Sequence, residues 1–293
     1  MAIIKAILTY QFMQNALLAA LFSGILCGLI GVIIVEKRLV MMTGGVAHTA
    51  YGGVGLGYLL GFSPLLGASL FALLAAFGIG GLRRRGGNRT EVLISLFWAL
   101  GMAAGMMFIA FTPGYPPDIN SYLFGNILTV TSLDILLMAI LALLVLLLFF
   151  AFYQDIKAYL FDETFSAVSG LFVRILEYLV LGLIALSVVV LLRVTGIMLA
   201  IALLAAPAAT AATFTRRLLP RMLAAAAISV GCSLFGLVLS FYLDIPSGAT
   251  IVATAALAYG IAALVRALRL RKAAPSFDHT KAIPSSDHTP ECC

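Results

Sequence analysis

Long apolar segments recur along the whole chain, and this repetition limits the folds that the sequence can adopt. An apolar stretch of about 18 to 20 residues can cross a bilayer as a helix. We count nine such segments in the 293 residues, so the first is a retained span rather than only a cleaved signal peptide. The predicted spans are residues 15–35, 44–61, 64–82, 91–111, 131–152, 172–192, 195–214, 222–242 and 248–267.

The composition also favours a chain surrounded by lipid. Charged residues make up 10% of the sequence, whereas a typical soluble domain has roughly 25%. We therefore predict an all-α, polytopic transmembrane bundle of about eight to nine helices, because a helix satisfies its own backbone hydrogen bonds in lipid. Residues 1–270 form this membrane domain, and residues 271–293 are predicted to be a disordered cytosolic tail.

The basic residues predict the orientation of the bundle. The net charge is +6, but the Lys and Arg lie in short loops, where they indicate topology rather than nucleic-acid binding. If the first span ends inside, at residues 36–38, alternation leaves only Lys5 and Arg193 outside among the 18 Lys and Arg. The positive-inside rule then predicts an external amino terminus and a cytosolic carboxyl terminus.

The sequence gives no sign of enzyme chemistry or of a bound cofactor. It has no G-x-x-x-x-G-K-[ST] phosphate loop, so any ATP must be bound by a partner. It also has no H-E-x-x-H motif and no Ser/His/Asp set at membrane depth. Cys27 and Cys232 lie in apolar segments, where a buried thiol is usual, and we predict no structural disulfide.

One histidine lies within a predicted span. An ionisable side chain at membrane depth is costly and usually faces a cavity or a pathway, and imidazole is a common ligand of divalent transition metals. His48 is therefore a candidate metal ligand on a translocation path. The alternative is a histidine that is hydrogen-bonded to a nearby carbonyl and only packs, and the residues alone leave both open.

Small residues surround this histidine. The second span repeats them every four positions, which lets neighbouring helices approach closely. Helix packing is the simpler interpretation, but Gly44 and Gly52 lie beside His48 and are candidate pathway or gate residues. The repeat consists of Gly45, Thr49, Gly53, Gly57 and Gly61.

Pro207 lies in the middle of the seventh predicted span. A proline there removes one backbone hydrogen bond and bends the helix. The bend is either a static kink in a closely packed helix or a hinge or gate beside the path.

A polar segment between the fifth and sixth spans is predicted to form a short cytosolic helix over residues 161–174. Asp162 and Glu163 suit its first turn. Phe161, Phe165 and Val168 share one face and form an apolar stripe. Such a helix can dock into a groove on another protein or lie on the membrane surface.

Several of these segments together resemble the permease subunit of the zinc/manganese/iron family of ATP-binding-cassette importers. The resemblance extends from about residue 10 to residue 270, and each segment alone is weak. The segments that carry it are VEKRLVMMTGGVAHTAYGGVGLGY, SYLFGNIL, FDETFSAVSG, VTGIMLAIALLAAPAATA and LDIPSGATIV.

The resemblance implies a homodimer of permeases in a prokaryotic cell membrane, two cytosolic ATPase subunits and an external metal-binding protein. It also implies that the cytosolic segment is the coupling helix that contacts the ATPase. The matching positions are Phe161, Asp162, Glu163, Phe165, Ala167 and Gly170.

The sequence departs from the family pattern beside the histidine. Family members commonly carry an Asp four residues before it, which places carboxylate and imidazole on one helix face. Here that position is Gly44, and Gly52 stands where a proline often follows. Only His48 is carried over as a transit ligand, so a second ligand must come from another span, the second copy or water.

We therefore predict an importer permease for a divalent transition metal, with zinc first and manganese or iron next. Uptake of a chelated metal or another small solute is the alternative within the same class. A gradient-driven carrier and a membrane scaffold are alternatives from other classes. The carrier is disfavoured, because such proteins usually have paired ionisable groups at membrane depth.

Overall fold

The computed structural model describes residues 10–84, 90–113, 125, 127, 130–168 and 170–273, with only the backbone for residues 163, 165, 167 and 270–273. These residues form helices and connecting turns without a strand, which confirms the predicted fold class. Most of the predicted tail lies outside the described residues. The helices are α1 Gln11–Glu36, α2 Val40–Leu60, α3 Pro64–Arg84, α4 Thr90–Ala110, α5 Ser132–Ala151, α6 Tyr153–Phe161, α7 Glu163–Val168, α8 Val173–Phe214, α9 Leu218–Leu243 and α10 Ser247–Ala273.

Seven of the described helices are long and apolar enough to cross a membrane, and they are α1, α3, α4, α5, α8, α9 and α10. Helix α2 has 21 residues, but its glycines and polar side chains lower its hydropathy. Helix α8 has 42 residues and carries two of the predicted spans. Each of the nine spans predicted from the sequence therefore lies on a described helical segment.

Helix α8 reverses direction at one residue. Gly196 has φ 78° and ψ 168°, the only non-helical backbone within α8. Glu177, before this point, pairs with Arg84 at the end of α3. Just after α8 ends, the carbonyl of Thr215 accepts a hydrogen bond from Arg221, which pairs with Glu36 at the end of α1.

The ends of α1 and α3 lie on the same side of the bundle, because α2 and α3 form a hairpin between them. Both ends of α8 are therefore on that side, and Gly196 is where the chain turns back. Arg193 lies near the turn and pairs with Asp134 at the start of α5, 3.1 Å between Nε and Oδ1.

Helices α2 and α3 form a tight hairpin, as the short gap between the predicted spans 44–61 and 64–82 indicates. Helix α2 ends at Leu60, and Gly61 adopts the left-handed conformation, φ 71°, that commonly terminates a helix. Helix α3 begins at Pro64, a favoured first helical residue because its missing N–H would have no helical partner. Gly53 of α2 lies directly against the backbone of Gly67 in α3.

The segment between α5 and α8 differs from the single cytosolic helix predicted over residues 161–174, and that prediction is wrong in its bounds. Phe161 ends α6, a helix that the sequence did not indicate, and Asp162 is extended at φ −147°, ψ 101°. Helix α7 then has only six residues. Gly170 has φ 82° and follows α7, so a left-handed glycine ends the helical segment before α8 begins.

Candidate functional site

Helix α2 is the element that holds the candidate ligand, and it is enclosed by its neighbours. Helices α3 and α4 pack along it, and the glycines permit this because they have no side chain in the contact. A Cβ on Gly55 would lie 2.6 Å from the carbonyl oxygen of Gly105, and one on Gly52 would lie 3.0 Å from that of Gly101, both in α4. Gly53 and Gly57 of the small-residue repeat lie equally close to Gly67 and Pro64 of α3, so these members of the repeat form a packing surface, as the simpler interpretation holds.

His48 lies at the centre of this enclosed helix and is 3% exposed. Neither of its ring nitrogens has a hydrogen-bond partner among the described residues. The alternative of a histidine bonded to a neighbouring carbonyl is therefore not what the structure contains. Burying a polar group without a hydrogen bond costs roughly 1 to 3 kcal/mol by protein mutational data, so a ligand or water that reached the ring would relieve this cost.

The ring of His48 is covered by an aromatic side chain of α4. The imidazole and the indole of Trp98 stack with their centroids 4.2 Å apart and their planes 18° from parallel. Trp98 is only partly buried, whereas His48 is fully enclosed. The indole therefore covers one face of the imidazole.

Gly44, one turn before His48, contacts the same indole. A Cβ on Gly44 would lie 3.0 Å from Cζ3 of Trp98, which is closer than nearly all real Cβ contacts. The side chain of Trp98 thus occupies the space beside residue 44. The position that resembles a family aspartate has no carboxylate, and a side chain there would require the indole to shift.

The backbones of α2 and α4 meet at this point. A Cβ on Gly101 would lie 2.5 Å from Cα of Thr49 and 2.8 Å from the carbonyl oxygen of His48. The Thr49 hydroxyl lies 2.8 Å from the carbonyl oxygen of Gly45 and 3.1 Å from that of Phe97. A side-chain hydrogen bond therefore joins α2 to α4 one residue away from both stacked rings.

The structure brings three of the four predicted pathway residues together and separates the fourth. Gly44, His48 and Gly52 all face α4. Pro207 is buried in the second half of α8 with helical backbone angles on both sides. Its neighbours Leu204 and Ala208 pack against Gly31 of α1, so the proline belongs to the α1–α8 contact, and the break in α8 is at Gly196 instead.

The site by itself offers few metal ligands. Within the described part of the chain, no three His, Cys, Asp or Glu residues are grouped so that they could hold a metal ion. His48 provides one nitrogen lone pair and no negative charge in its neutral form. A tightly bound resident metal needs more ligands than this, whereas a transit site requires binding that is weak enough for release.

The predicted coupling segment has an exposed apolar surface. Phe161 is 59% exposed and Val168 is 87% exposed. Ser166 points inward, and its hydroxyl donates to the carbonyl of Asp162 at 2.7 Å. The side chains of Glu163, Phe165 and Ala167 lie outside the described part of the structure, so the middle of the predicted stripe stays a prediction.

Sequence reasoning missed Trp98, although it is the only tryptophan of the chain. A lone tryptophan in a span, fifty residues from the only membrane histidine, gives no sign of pairing, since i to i+4 periodicity reports only contacts within one helix. Its contact with His48 depends on the docking of α4 onto α2, which is a tertiary feature.

A cavity of about 530 Å³ lies between α1, α9 and α10 and includes Asp244 in its lining. Asp244 is exposed and left-handed, φ 54°, at the end of α9. From the sequence, Asp244 and Asp118 are predicted to be external acidic residues, either solvated loop charges or candidates to meet a delivery protein. Asp118 lies outside the described residues.

Comparison with known proteins identifies the relatives of this chain. Residues 9–266 match the family model described as the ABC 3 transport family. An uncharacterized membrane protein of Synechocystis sp. is 43% identical over 259 residues, 88% of this chain and 92% of the relative. The manganese transport system membrane protein MntC of Listeria innocua is 31% identical over 264 residues, 90% and 94% of the two chains.

The fold also matches a solved structure. A chain of PsaBC from Streptococcus pneumoniae in complex with Fab superposes with a TM-score of 0.83 at 28% identity. The match covers 92% of this chain and 99% of that chain. The arrangement of helices is therefore shared along nearly the whole length of both proteins.

Proposed function

Because the chain belongs to the ABC 3 transport family, we propose that it is the permease subunit of an ATP-binding-cassette importer for a divalent transition metal ion. The observation that carries the metal is His48, a buried imidazole with two unpartnered nitrogens in the most enclosed helix of the bundle. The chain supplies the path, and a cytosolic partner binds and hydrolyses ATP, since the sequence has no phosphate loop.

Two kinds of observation bear on which metal is carried. The Listeria relative is named for manganese, whereas the chemistry around His48 favours zinc. Imidazole suits zinc and iron, and carboxylate and water suit manganese, and the position four residues before His48 is a glycine. We keep zinc as the first candidate and manganese and iron next.

The alternative substrate is a chelated metal or another small solute. The closed contact between α2 and α4 favours a bare ion, because His48 is enclosed by Trp98 and faces no wide cavity. An aqueous site that accepts a drug-sized chelate needs several hundred Å³. Competition of a metal chelate with the free ion in uptake assays separates the two substrates.

The partners follow from exposed surfaces. Phe161 and Val168 present apolar area beyond the end of the spans, where a cytosolic ATPase subunit binds in this proposal. Helix α4 carries an apolar outer face with Leu96, Leu100 and Met107 exposed, which a second permease copy or lipid covers. An external metal-binding protein delivers the ion near the Asp244 end.

The proposed orientation has the amino terminus outside and the carboxyl terminus in the cytosol of a prokaryotic cell. The ion pairs Arg84–Glu177 and Arg221–Glu36 lie on the predicted cytosolic side, and Arg193–Asp134 on the other. Labelling of Cys292 and Cys293 with a membrane-impermeant maleimide tests this, because only disrupted cells should react. Reaction in intact cells contradicts the orientation.

The decisive experiment measures ATP-dependent uptake of radiolabelled zinc and manganese into vesicles that hold the permease, its ATPase and the binding protein. We expect His48→Ala to reduce uptake at least about ten-fold while assembly and ATP hydrolysis persist, because the candidate ligand on the path is removed. The matched control is Val54→Ala, a buried α2 residue without ligand atoms. Full uptake by His48→Ala makes His48 a packing residue and removes the basis for the metal path.

A further inference from the structure

We propose that Trp98 is the gate of the ion path at His48 and, together with Gly44, biases its metal preference, an inference that rests on the proposed function. In the observed state the indole covers the imidazole of His48. It also lies against Gly44, so a side chain added at residue 44 would press on the indole. An ion reaches His48 only when the indole moves away.

The closure follows from the stacking geometry. With 4.2 Å between the ring centroids and an 18° interplanar angle, the indole covers one face of the imidazole, and the nitrogen lone pairs point outward in the plane of that ring. His48 is 3% exposed, and its nitrogens have no partner among the described side chains or backbone. An ion therefore cannot reach the imidazole until a side chain that covers it moves, and the indole is the partly exposed side chain that lies directly on it.

The moving part is the side chain rather than the helix. Helices α2 and α4 are fixed to one another by backbone contact at Gly101, by Gly105 against Tyr51 and by the hydrogen bond from Thr49 to Phe97. Trp98 is partly exposed at the outer surface of α4. A rotamer change of the indole toward that surface opens the path without breaking the α2–α4 contact, and side-chain rotamers change much faster than packed helices slide.

The metal preference follows from the side chain that the indole disfavours at residue 44. Residue 44 and His48 are one helical turn apart and face the same side, as an acidic and imidazole ligand pair would. A Cβ at residue 44 would already be 3.0 Å from Cζ3 of Trp98, so an acidic side chain there requires the observed indole to shift. With Trp98 in place, an ion meets an imidazole and an aromatic face. Without Trp98, an Asp at residue 44 would place a carboxylate beside the imidazole.

These two surroundings favour different ions. A neutral imidazole suits zinc, iron and nickel, whereas manganese prefers oxygen ligands such as carboxylate. Trp98 and Gly44 together therefore bias the path toward the ions that bind nitrogen. The bias requires no resident metal, because the ion meets these groups only in transit.

The experiment compares Gly44→Asp, Trp98→Ala and the double variant in the reconstituted transporter, with zinc and manganese supplied together. We expect Gly44→Asp alone to lower the amount of folded permease, since the indole blocks the new side chain. The double variant should fold and raise the manganese-to-zinc uptake ratio by about ten-fold over the wild type. If Gly44→Asp and Trp98→Ala change the amount of folded permease and the uptake ratio independently and additively, the proposed interaction between residues 44 and 98 is wrong.

A second measurement tests the gate. Vesicles with Trp98→Ala should leak metal without ATP several-fold faster than the wild type, whereas Trp98→Phe should remain closed because a ring still covers His48. The matched control is Phe97→Ala, whose neighbouring ring faces Gly78 of α3 instead. Equal leak rates in the wild type, Trp98→Ala and Phe97→Ala show that the indole is not the gate.

The single tryptophan supplies a readout without transport. In the purified wild-type permease, Co²⁺ should quench the emission of Trp98, and His48→Ala should remove the quenching at the same Co²⁺ concentrations. Quenching that persists in His48→Ala contradicts ion binding beside the indole. If wild-type vesicles take up no metal, the proposed function fails; if uptake depends on His48 but not on Trp98, only this inference fails.

Discussion

At the scale of single residues, the glycines of α2 allow it to pack closely on its neighbours, because glycine has a hydrogen atom where alanine has a methyl group. Gly53 and Gly67 lie so close that a Cβ on either would overlap the backbone of the other, and Gly57 would meet Cα of Pro64 at 2.7 Å. Backbone cannot move aside as a flexible side chain can. The glycines are therefore the reason that His48 is enclosed on the α3 and α4 sides.

This packing gives a direct prediction for Gly53→Ala. The substitution should destabilise the permease by about 1 to 3 kcal/mol, since overpacking a close contact forces the backbones apart. Thermal unfolding of the detergent-solubilised protein measures it. The matched control is Gly231→Ala in α9, where an added Cβ meets nothing within 4 Å.

The control should be neutral or stabilising, because alanine favours a helix over glycine by up to about 1 kcal/mol. Equal melting temperatures for Gly53→Ala and the wild type are incompatible with the close α2–α3 contact.

At the scale of elements, the reversal of α8 is the least regular feature. Helix α8, which has 42 residues, turns back at Gly196. Gly125 packs against the backbone of Thr195 and Gly196 at this turn. The φ of 78° with ψ of 168° lies in a region that is essentially restricted to glycine. The ion pair of Arg193 with Asp134 holds the turn to α5, and Asp134 also caps α5 through Thr131.

Gly196→Ala should therefore be more harmful than a glycine substitution elsewhere in the same helix. We expect a loss of stability of about 1 to 3 kcal/mol, the cost of a disfavoured backbone conformation. The control is Gly182→Ala, whose Cβ would lie 3.6 Å from Phe77, an ordinary contact. Chemical denaturation of both variants compares them, and equal stabilities argue against a strained turn at Gly196.

At the scale of the whole molecule, apolar side chains are exposed in two settings. On α4, α5 and α10 they cover the outer surface of the bundle, where lipid is the natural solvent, since lipid-facing helices need no polar side chains. At the end that is predicted to be cytosolic, Phe161, Val168 and Phe172 are exposed before α8 begins, at 59%, 87% and 79%. Apolar surface at that position favours a protein partner.

Val168→Asp, alone and with Phe161→Asp, should abolish copurification of the ATPase while the permease keeps its melting temperature. A charge in an apolar contact loses its hydration without gaining a partner. Thr164→Asp is the matched control, because it places the same charge at an exposed position of α7. Copurification that survives both Val168→Asp and the double variant contradicts docking at this segment.

The sequence by itself determined the order of the apolar helical segments, because apolar length and turn residues are local properties. The tight hairpin at Gly61 and Pro64, the glycine-rich α2 and the position of His48 could all be predicted in this way. The two short helices α6 and α7 could not, because Asp162 and Gly170 interrupt a segment whose periodicity suggested one helix.

Only the tertiary structure decided what each segment contacts. Trp98 lies on His48 and against Gly44 because α4 docks onto α2, and Pro207 belongs to the contact with α1 rather than to the histidine. Gly196 reverses α8 because both ends of that helix are tied to the same side by Glu177 and by Arg221. Such contacts join residues far apart in the chain, and hydrophobic periodicity reports only which face of a helix is apolar, not which neighbour covers it.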